Sequence, residues 1–333
     1  MKVVRELDRL VPRPQNVVLT IGNFDGVHLG HRAIFRRVVD AARRINGTAA
    51  VLTFEPHPLR LLAPQQAPPR INTPEEKVRL VEASMIDLLV VQEFNHQLAG
   101  LSAEDFVREI LVGKLAIRHL IVGYDYAFGR NREGDIDFLK SKSLEYGFVL
   151  ETLDPICRGN EVYSSTRIRQ ALLAGDVAGV VKVMGRNFTL DGTVVHGAGR
   201  GQKLGFPTAN LETAKEILPA KGVYAVKVKW HDRFYDAVVN IGRRPTFANQ
   251  EATLEIHLLD FRENLYAEVL RVYFVERLRP EQRFDSVDAL QEAVTKDIER
   301  ARRILHGREV VEYREYLAYE GTGELASGQD QAP

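Results

Sequence analysis

Two imidazoles lie three residues apart in Gly22-Asn-Phe-Asp-Gly-Val-His28-Leu-Gly-His31. The segment follows a short apolar run, Val17–Ile21, and opens a helical pattern rich in Arg, Ala and Val. That order reads strand, tight turn, helix. The first backbone N–H groups of a helix have no intrahelical partner and stand at the positive end of its dipole. Such an end is a site for a polyphosphate. The two histidines add donors that can follow charge as it builds on the α- and β-phosphates. A metal reading fits less well: helical zinc ligands favour i, i+4 spacing with a carboxylate nearby, and no Cys accompanies this pair.

Three further segments of the first half carry chemistry-bearing side chains. Thr53-Phe54-Glu-Pro-His57-Pro58 offers aromatic, imidazole and proline surfaces to a flat ring, or forms a rigid turn. Val122-Gly123-Tyr-Asp125-Tyr-Ala-Phe128-Gly129 offers a second aromatic face, or is a plain loop. Ser164-Ser-Thr166-Arg167-Ile-Arg169 opens a helix with hydroxyls that suit a cap. An Arg so early in a helix opposes the dipole unless an anion is present, and its fork can grip phosphate. Lys140-Ser-Lys-Ser143 falls within a helical pattern from Asp135 to Tyr146 and reads as a solvated face.

In the second half the densest segment runs from Gly192 through Gly197, Gly199, Gly201 and Gly205 to Pro207-Thr208-Ala-Asn210. Its glycines let a loop wrap closely around a ligand. No βαβ unit follows, so this is not a dinucleotide fingerprint, and no Gly-x4-Gly-Lys-Ser/Thr phosphate loop exists in the chain. The Thr208 hydroxyl and the Asn210 carboxamide can share one Mg²⁺, which takes few protein oxygens and completes its shell with phosphate and water. Phosphoryl transfer to an alcohol needs an acceptor for the hydroxyl proton. Glu255 suits that role. It shares a strand face with Thr253 and His257, opposite Leu254, Ile256 and Leu258. The same alternation also describes an outward charge on an edge strand.

The elements that must position these groups divide the 333-residue chain in two. Up to about residue 185, short apolar segments at Val17–Ile21, Thr48–Phe54, Leu88–Gln92, His119–Val122 and Phe148–Thr152 alternate with helical patterns such as Thr73–Ala83 and Ser102–Leu111. This predicts an α/β domain with a doubly wound parallel sheet and right-handed crossovers, binding ligand beyond the carboxyl ends of its strands. From Phe188 to Val275 the apolar period is two, in Val223–Trp230, Phe234–Asn240, Thr253–Leu259 and Val269–Val275, which predicts a small antiparallel β-barrel. A helix from Ser286 to Leu305 follows, and the tail from Gly321 reads as disordered.

The formal net charge is zero, which gives no overall basic footprint for nucleic acid or membrane. The single Cys157 rules out an internal disulfide framework and suits a reducing cytoplasm. No apolar run reaches bilayer length, and the charges within Met1-Lys-Val-Val-Arg-Glu-Leu7 argue against a signal peptide.

The motifs resemble a known family. Gly22-x-Phe-Asp-Gly-Val-His-x-Gly-His31, Phe54-x-Pro-His-Pro58 and Ser164-Ser-Thr-x-Ile-Arg169 are similar to the adenylyltransferase module of bacterial bifunctional riboflavin kinase/FMN adenylyltransferases. These FAD synthetases belong to the wider HxGH nucleotidyltransferase class. Gly205-Phe-Pro-Thr-Ala-Asn210, Gly222-Val-Tyr224, Asn240-Ile-Gly242 with Pro245-Thr246, and Asn264-Leu-Tyr266 resemble the riboflavin kinase domain, in that order. The resemblance spans roughly residues 15 to 305.

It implies a six-stranded antiparallel barrel with a C-terminal helix for the second half. It also implies ATP, riboflavin and FMN as substrates, with Mg²⁺. In the first half, the resemblance places Gly22, Asn23, Phe24, Asp25, His28, His31, Ser164, Thr166 and Arg167 about ATP, with His28 and His31 catalytic. Phe54, His57, Pro58, Asp125 and Phe128 would line the flavin pocket. In the second half it places Gly197, Gly199, Gly205, Thr208 and Asn210 about ATP, Thr208 and Asn210 on the metal, and Glu255 as base toward the ribityl 5′-hydroxyl, with Asn210 beside it. Asp125 departs from an expected Asn and Ala267 from an expected Gly. The resulting expectation is an adenylyltransferase domain at 1–185, a kinase domain at 186–320 and a tail at 321–333. The partners expected are small molecules only, with no nucleic acid or membrane, in a cytoplasmic monomer or transient homo-oligomer.

Overall fold

Val17–Ile21, strand β2, is buried at every position, as a strand covered on both faces must be. The computed structural model describes residues 1–158, 161–197, 201, 205–243 and 252–313. In the first half β1 (Lys2–Val4), β2, β3 (Thr48–Glu55), β4 (Leu88–Glu93), β5 (Ile117–Gly123) and β6 (Val149–Leu153) form one sheet in the order β1-β4-β3-β2-β5-β6. Every pairing in it is parallel. The order reverses at β2, so the loops leaving β2 and β5 flank the crevice where such sheets bind ligands.

Alternate residues of these strands feed two cores. Leu19, Leu52, Val90 and Leu120 face one side, with Phe106, Leu111 and Leu139. Val18, Val51, Leu89 and Ile121 face the other, where they meet Phe35, Val38 and Val39 of α1 (Leu29–Arg44). The sheet is doubly wound, as its alternation predicts. Two details differ from the sequence reading. An additional edge strand, β1, pairs with β4. The helix expected over Ser102–Leu111 is a short α-turn, Ala103–Asp105, continued by a π-helix, Phe106–Lys114, in which the Leu115 N–H reaches back to the Ile110 carbonyl.

A two-stranded antiparallel pair, β7 (Cys157–Arg158) and β8 (Glu161–Val162), comes next, and in the second half β9 (Thr189–Val195), β10 (Ala209–Glu212), β11 (Gly222–Trp230), β12 (Arg233–Arg243), β13 (Ala252–Leu258) and β14 (Val269–Pro280) close into an antiparallel barrel in the order β10-β13-β12-β11-β14-β9. Its interior is filled by side chains such as Val226, Val239, Leu254, Ile256 and Phe274. The helix Val287–Leu305 lies on the outer face against Val223, Val238 and Leu278.

The halves share one apolar cluster. Helices Ser165–Ala174 and Val177–Met184 contribute Ile168, Leu172, Val180 and Met184 to the barrel's core. Polar ties cross the same boundary: Lys215 Nζ to Glu76 at 2.5 Å and to the Ile71 carbonyl at 2.8 Å, and Arg79 to Asp191 at 3.1 Å. Lys215 is buried, so its charge is tolerated there only because a carboxylate and a carbonyl face it. Gly199, Pro245, Thr246 and the tail 321–333 lie outside the described residues.

Candidate active sites

His28 caps α1. Its Nδ1 accepts the backbone N–H of His31 at 3.3 Å, which turns the ring back over the first helical turn. The two imidazoles stack, with centroids 3.6 Å apart and planes 23° from parallel. The glycine between them is a steric requirement, because a Cβ on Gly30 would stand 3.0 Å from the His28 ring. Phe24 supports the pair from below, edge-on to His31 at 5.2 Å, and Gly22 leaves room for the Phe24 ring. Both are therefore part of the support for the histidines.

His28 is 6% exposed, and burial, reinforced by the nearby Arg186 charge, pushes its pKa down from 6.5 to about 4. His31 is lowered too, by burial first and then by the charges of His28, Lys77 and Arg186. Both rings are neutral at pH 7, and the His31 Nδ1 has no partner among the described residues. Neutral imidazoles each supply one N–H donor without repelling the backbone donors beside them.

This buried pair makes folding pH-dependent. Above pH 6.5 both states of His28 are neutral and its contribution is complete. As pH falls from 6.5 towards 4 the unfolded chain takes up a proton that the folded site refuses, so stability is lost across that window. The share belonging to His28 is on the order of 3 kcal/mol at the acid end. Thermal melts of His28→Asn, which keeps a capping side chain, are expected to be less steep across that range than those of the unsubstituted chain. Identical slopes would contradict the assignment.

The helix Ser165–Ala174 brings the hydroxyl segment to this site. Ser164 caps it by accepting the Arg167 N–H at 3.2 Å, and the Ser165 hydroxyl donates to the Asp25 carbonyl at 2.8 Å. Thr166 is exposed and Arg167 half-buried in the first turn. The Asp25 carboxylate accepts from the Ile71 and Asn72 N–H groups and from Arg169 at 2.5 Å. Its oxygens are engaged inside the chain, so Asp25 secures the loop that carries His28. Asn23 Nδ2 meets His57 Nε2 at 3.2 Å and joins that loop to the one after β3. His57 in turn caps Pro58–Leu62 through Nδ1, and burial lowers its pKa.

Of the residues expected to line a flat-ring pocket, Phe54 packs edge-on to Phe94 at 5.7 Å, and Asp125 is exposed beyond β5. The structure does not give Phe128 the open face the sequence reading assigns it. It is 7% exposed and packed against Phe106, Tyr126 and Phe138. Lys77 was not legible in the sequence. It lies on helix Pro74–Glu82, makes no ion pair among the described residues, and burial lowers its pKa. Its charge acts on His31 and His57 alike.

The second site forms on the outer face of the barrel. Strand register places Asn210 of β10 opposite Glu255 of β13, and Glu255 opposite Asn240 of β12. Residues directly opposite share a face, so two carboxamides flank one carboxylate. Leu254 and Ile256 point to the interior, as the alternation predicts. A Cβ on Gly201 would stand 3.0 Å from the Thr208 hydroxyl, and one on Gly197 would overlap the Asn210 carboxamide. Gly205 lies at φ 86°, a conformation glycine permits. The His257 ring bonds the Pro207 carbonyl at 2.8 Å and holds the loop against the strand. Asn240 is the residue of this row that motif reading did not single out as a site residue; barrel register identifies it.

Residues 11–167 match the family described as FAD synthetase, and residues 184–305 the family described as riboflavin kinase. A bifunctional riboflavin kinase/FMN adenylyltransferase of Escherichia coli strain K12 is 40% identical over 299 residues, which cover 89% of this chain and 96% of the relative. One from Pseudomonas fluorescens is also 40% identical, over 91% of this chain and 98% of the relative. The chain belongs to the bifunctional riboflavin kinase/FMN adenylyltransferase family. A solved structure from Streptococcus pneumoniae, titled a macrolide-efflux protein, has the same fold, with a TM-score of 0.82 and 31% identity over 90% of this chain and 98% of that one. Among the described residues of this family member, no helix is long and apolar enough to cross a membrane. The departure at Ala267 has a physical reading in the family's terms. Its φ is 65°, the left-handed region that a glycine occupies without a Cβ penalty.

Proposed function

We propose that this chain carries both activities in its family's name, phosphorylating riboflavin to FMN at the barrel and adenylylating FMN to FAD at the α/β sheet. The observation that carries the reading is the neutral, stacked imidazole pair at the start of α1, in a chain that also holds a carboxylate flanked by two carboxamides on its barrel.

At the first site an FMN phosphate oxygen bonds to the α-phosphorus of ATP, the bond from that phosphorus to the bridging oxygen breaks, and pyrophosphate leaves. No covalent enzyme intermediate is needed. The chain positions the partners and stabilises charge that grows on the phosphates. His28 and His31 donate to those oxygens, together with the free N–H groups at the start of α1. Ser164, Thr166 and Arg167 hold the triphosphate, while Asn23, Asp25, Gly22 and Phe24 keep the histidine loop in place. Phe54, His57, Pro58 and Asp125 line the isoalloxazine side, with Phe128 supporting it from within. Lys77 supplies a cation toward the phosphates. Lys77→Met is expected to raise KM for ATP or FMN roughly 10-fold in FAD formation, the scale of one lost charge-assisted contact. Unchanged KM for both would remove Lys77 from the site.

At the second site Glu255 accepts the proton of the ribityl 5′-hydroxyl as that oxygen bonds to the γ-phosphorus and ADP leaves. Gly197, Gly199 and Gly205 let the loop close on ATP. Thr208 and Asn210 suit Mg²⁺: each brings a neutral oxygen, and the glycine positions pressed against both side chains leave a cradle that a Cβ would fill. When bound, the ion neutralises phosphate charge.

We assign 1–185 to the adenylyltransferase domain, 186–320 to the kinase domain and 321–333 to a tail. The enzyme works on small molecules in the cytoplasm, as a monomer or transient homo-oligomer, without nucleic acid or membrane. Mixing the chain with riboflavin, ATP and Mg²⁺ and separating the products by liquid chromatography tests the reading. FMN should appear first and FAD after it; neither product would refute it.

A further inference from the structure

The loop that presents His28 is backbone-strained. Phe24, Gly26 and Val27 have φ of 46°, 83° and 38°. Such angles crowd the Cβ of any residue that has one, and a β-branched residue tolerates them poorly. Asp25 holds this loop from within the α/β half. From the other side it is held by Arg186, just beyond helix Val177–Met184, on the barrel side of the chain. Arg186 is 5% exposed. Its Nη2 donates to the Gly26 carbonyl at 2.7 Å, and its Nη1 to the Val27 carbonyl at 2.8 Å and the Met184 carbonyl at 3.4 Å.

These bonds act directly on the catalytic loop. The C=O and N–H of a trans peptide point in opposite directions. Fixing the Val27 carbonyl on the guanidinium therefore turns the His28 N–H away from it, and no described acceptor takes that N–H. The same bonds fix the residue before the cap, and with it the angle at which the His28 ring meets α1. The planar fork suits this arrangement, presenting one nitrogen to each of two successive carbonyls.

Arg186 is itself covered by a segment that lies beyond the barrel's own helix. The Tyr313 ring has Arg186 at 5.4 Å and Arg32 of α1 at 5.1 Å. Its hydroxyl bonds Ser84 at 2.7 Å. Two bonds between Asn187 and Val311, at 2.8 and 3.2 Å, dock the segment next to Arg186.

We propose that Arg186 is a positioning residue for adenylyl transfer, held in place by Tyr313, so that residues outside the α/β half set the geometry of His28. This rests on the assignment of adenylyl transfer to the histidine site. It gives the barrel half a role in FAD formation that is separate from its own chemistry.

The test uses the full chain with ATP, measuring FAD formed from supplied FMN and, in parallel, phosphorylation of riboflavin. Arg186→Met is expected to lower kcat for FAD formation roughly 10- to 100-fold, the cost of a displaced catalytic group, with KM for ATP within about threefold. Riboflavin phosphorylation should stay within about twofold, because Arg186 touches nothing at that site. Arg186→Lys should recover part of the kcat, since one ammonium still reaches one carbonyl. If Arg186→Met does not fold, Tyr313→Ala decides: it keeps the guanidinium and should lower kcat for FAD formation several-fold. Full FAD formation in both variants, or a parallel fall of both activities, would overturn the proposal. Absence of FAD formation in the unsubstituted chain would instead overturn the reading of the histidine site.

Discussion

His28→Ala should abolish detectable FAD formation while FMN continues to form from riboflavin. Three losses coincide at this residue. The N–H donor proposed to follow charge on the phosphates disappears, and removing one preorganised donor of this kind costs roughly 10²- to 10³-fold in kcat. The cap on the His31 N–H goes as well, worth about 1 kcal/mol of helix stability. His31 also loses the ring stacked on it at 3.6 Å and is free to reorient. None of this reaches the barrel, whose interior belongs to a different apolar cluster from α1. His28→Asn separates the terms, because it caps the helix yet lacks the imidazole. It should lose FAD formation almost as completely while melting closer to the unsubstituted chain. FAD formation by either variant at more than a tenth of the unsubstituted rate would contradict the role given to the ring.

The converse loss is expected from the barrel row. Glu255→Ala removes the proposed proton acceptor, and general-base catalysis contributes typically 10²- to 10⁴-fold. FMN formation should fall by that range, while FMN supplied from outside is still converted to FAD. Asn210→Asp acts by a different route. The register puts residue 210 directly opposite Glu255, so the substitution sets two carboxylates against each other across the strand pair. It also alters the oxygen donor proposed for Mg²⁺. Either variant should therefore accumulate unreacted riboflavin. Failure of external FMN to restore FAD would mean that the barrel substitution reaches the first site and that the two sites are not separate.

Much of this arrangement was legible in the sequence because periodicity and register obey simple rules. The β2-to-α1 turn could be placed because an apolar run, glycines and a helical pattern follow in order. Glu255 could be assigned a face because strands alternate. What escaped was three-dimensional. β1 is only three residues long and forms through its pairing with β4, which no local signal announces. Phe128 reads as an aromatic on a binding loop, yet the short bridge between Phe128 and Gly134 folds it into the core. Asp25 reads as a polar loop residue, but its partners Ile71, Asn72 and Arg169 are distant in the chain. Lys77 and Arg186 lie in segments whose local pattern is ordinary, and Asn240 lies in a motif that does not say which face it takes; only closure of the sheet, the barrel and the boundary between them brings each to a site.

Two ATP sites that work separately in one polypeptide should complement one another between chains. Mixing equal amounts of purified His28→Ala and Glu255→Ala chains with riboflavin, ATP and Mg²⁺ tests it most directly. Each variant alone should make FAD from riboflavin at no more than about a hundredth of the unsubstituted rate. The mixture should make it, with FMN released by the first variant and consumed by the second. A mixture no faster than either variant alone, or a single variant that makes FAD near the unsubstituted rate, would show that the two sites are not separable.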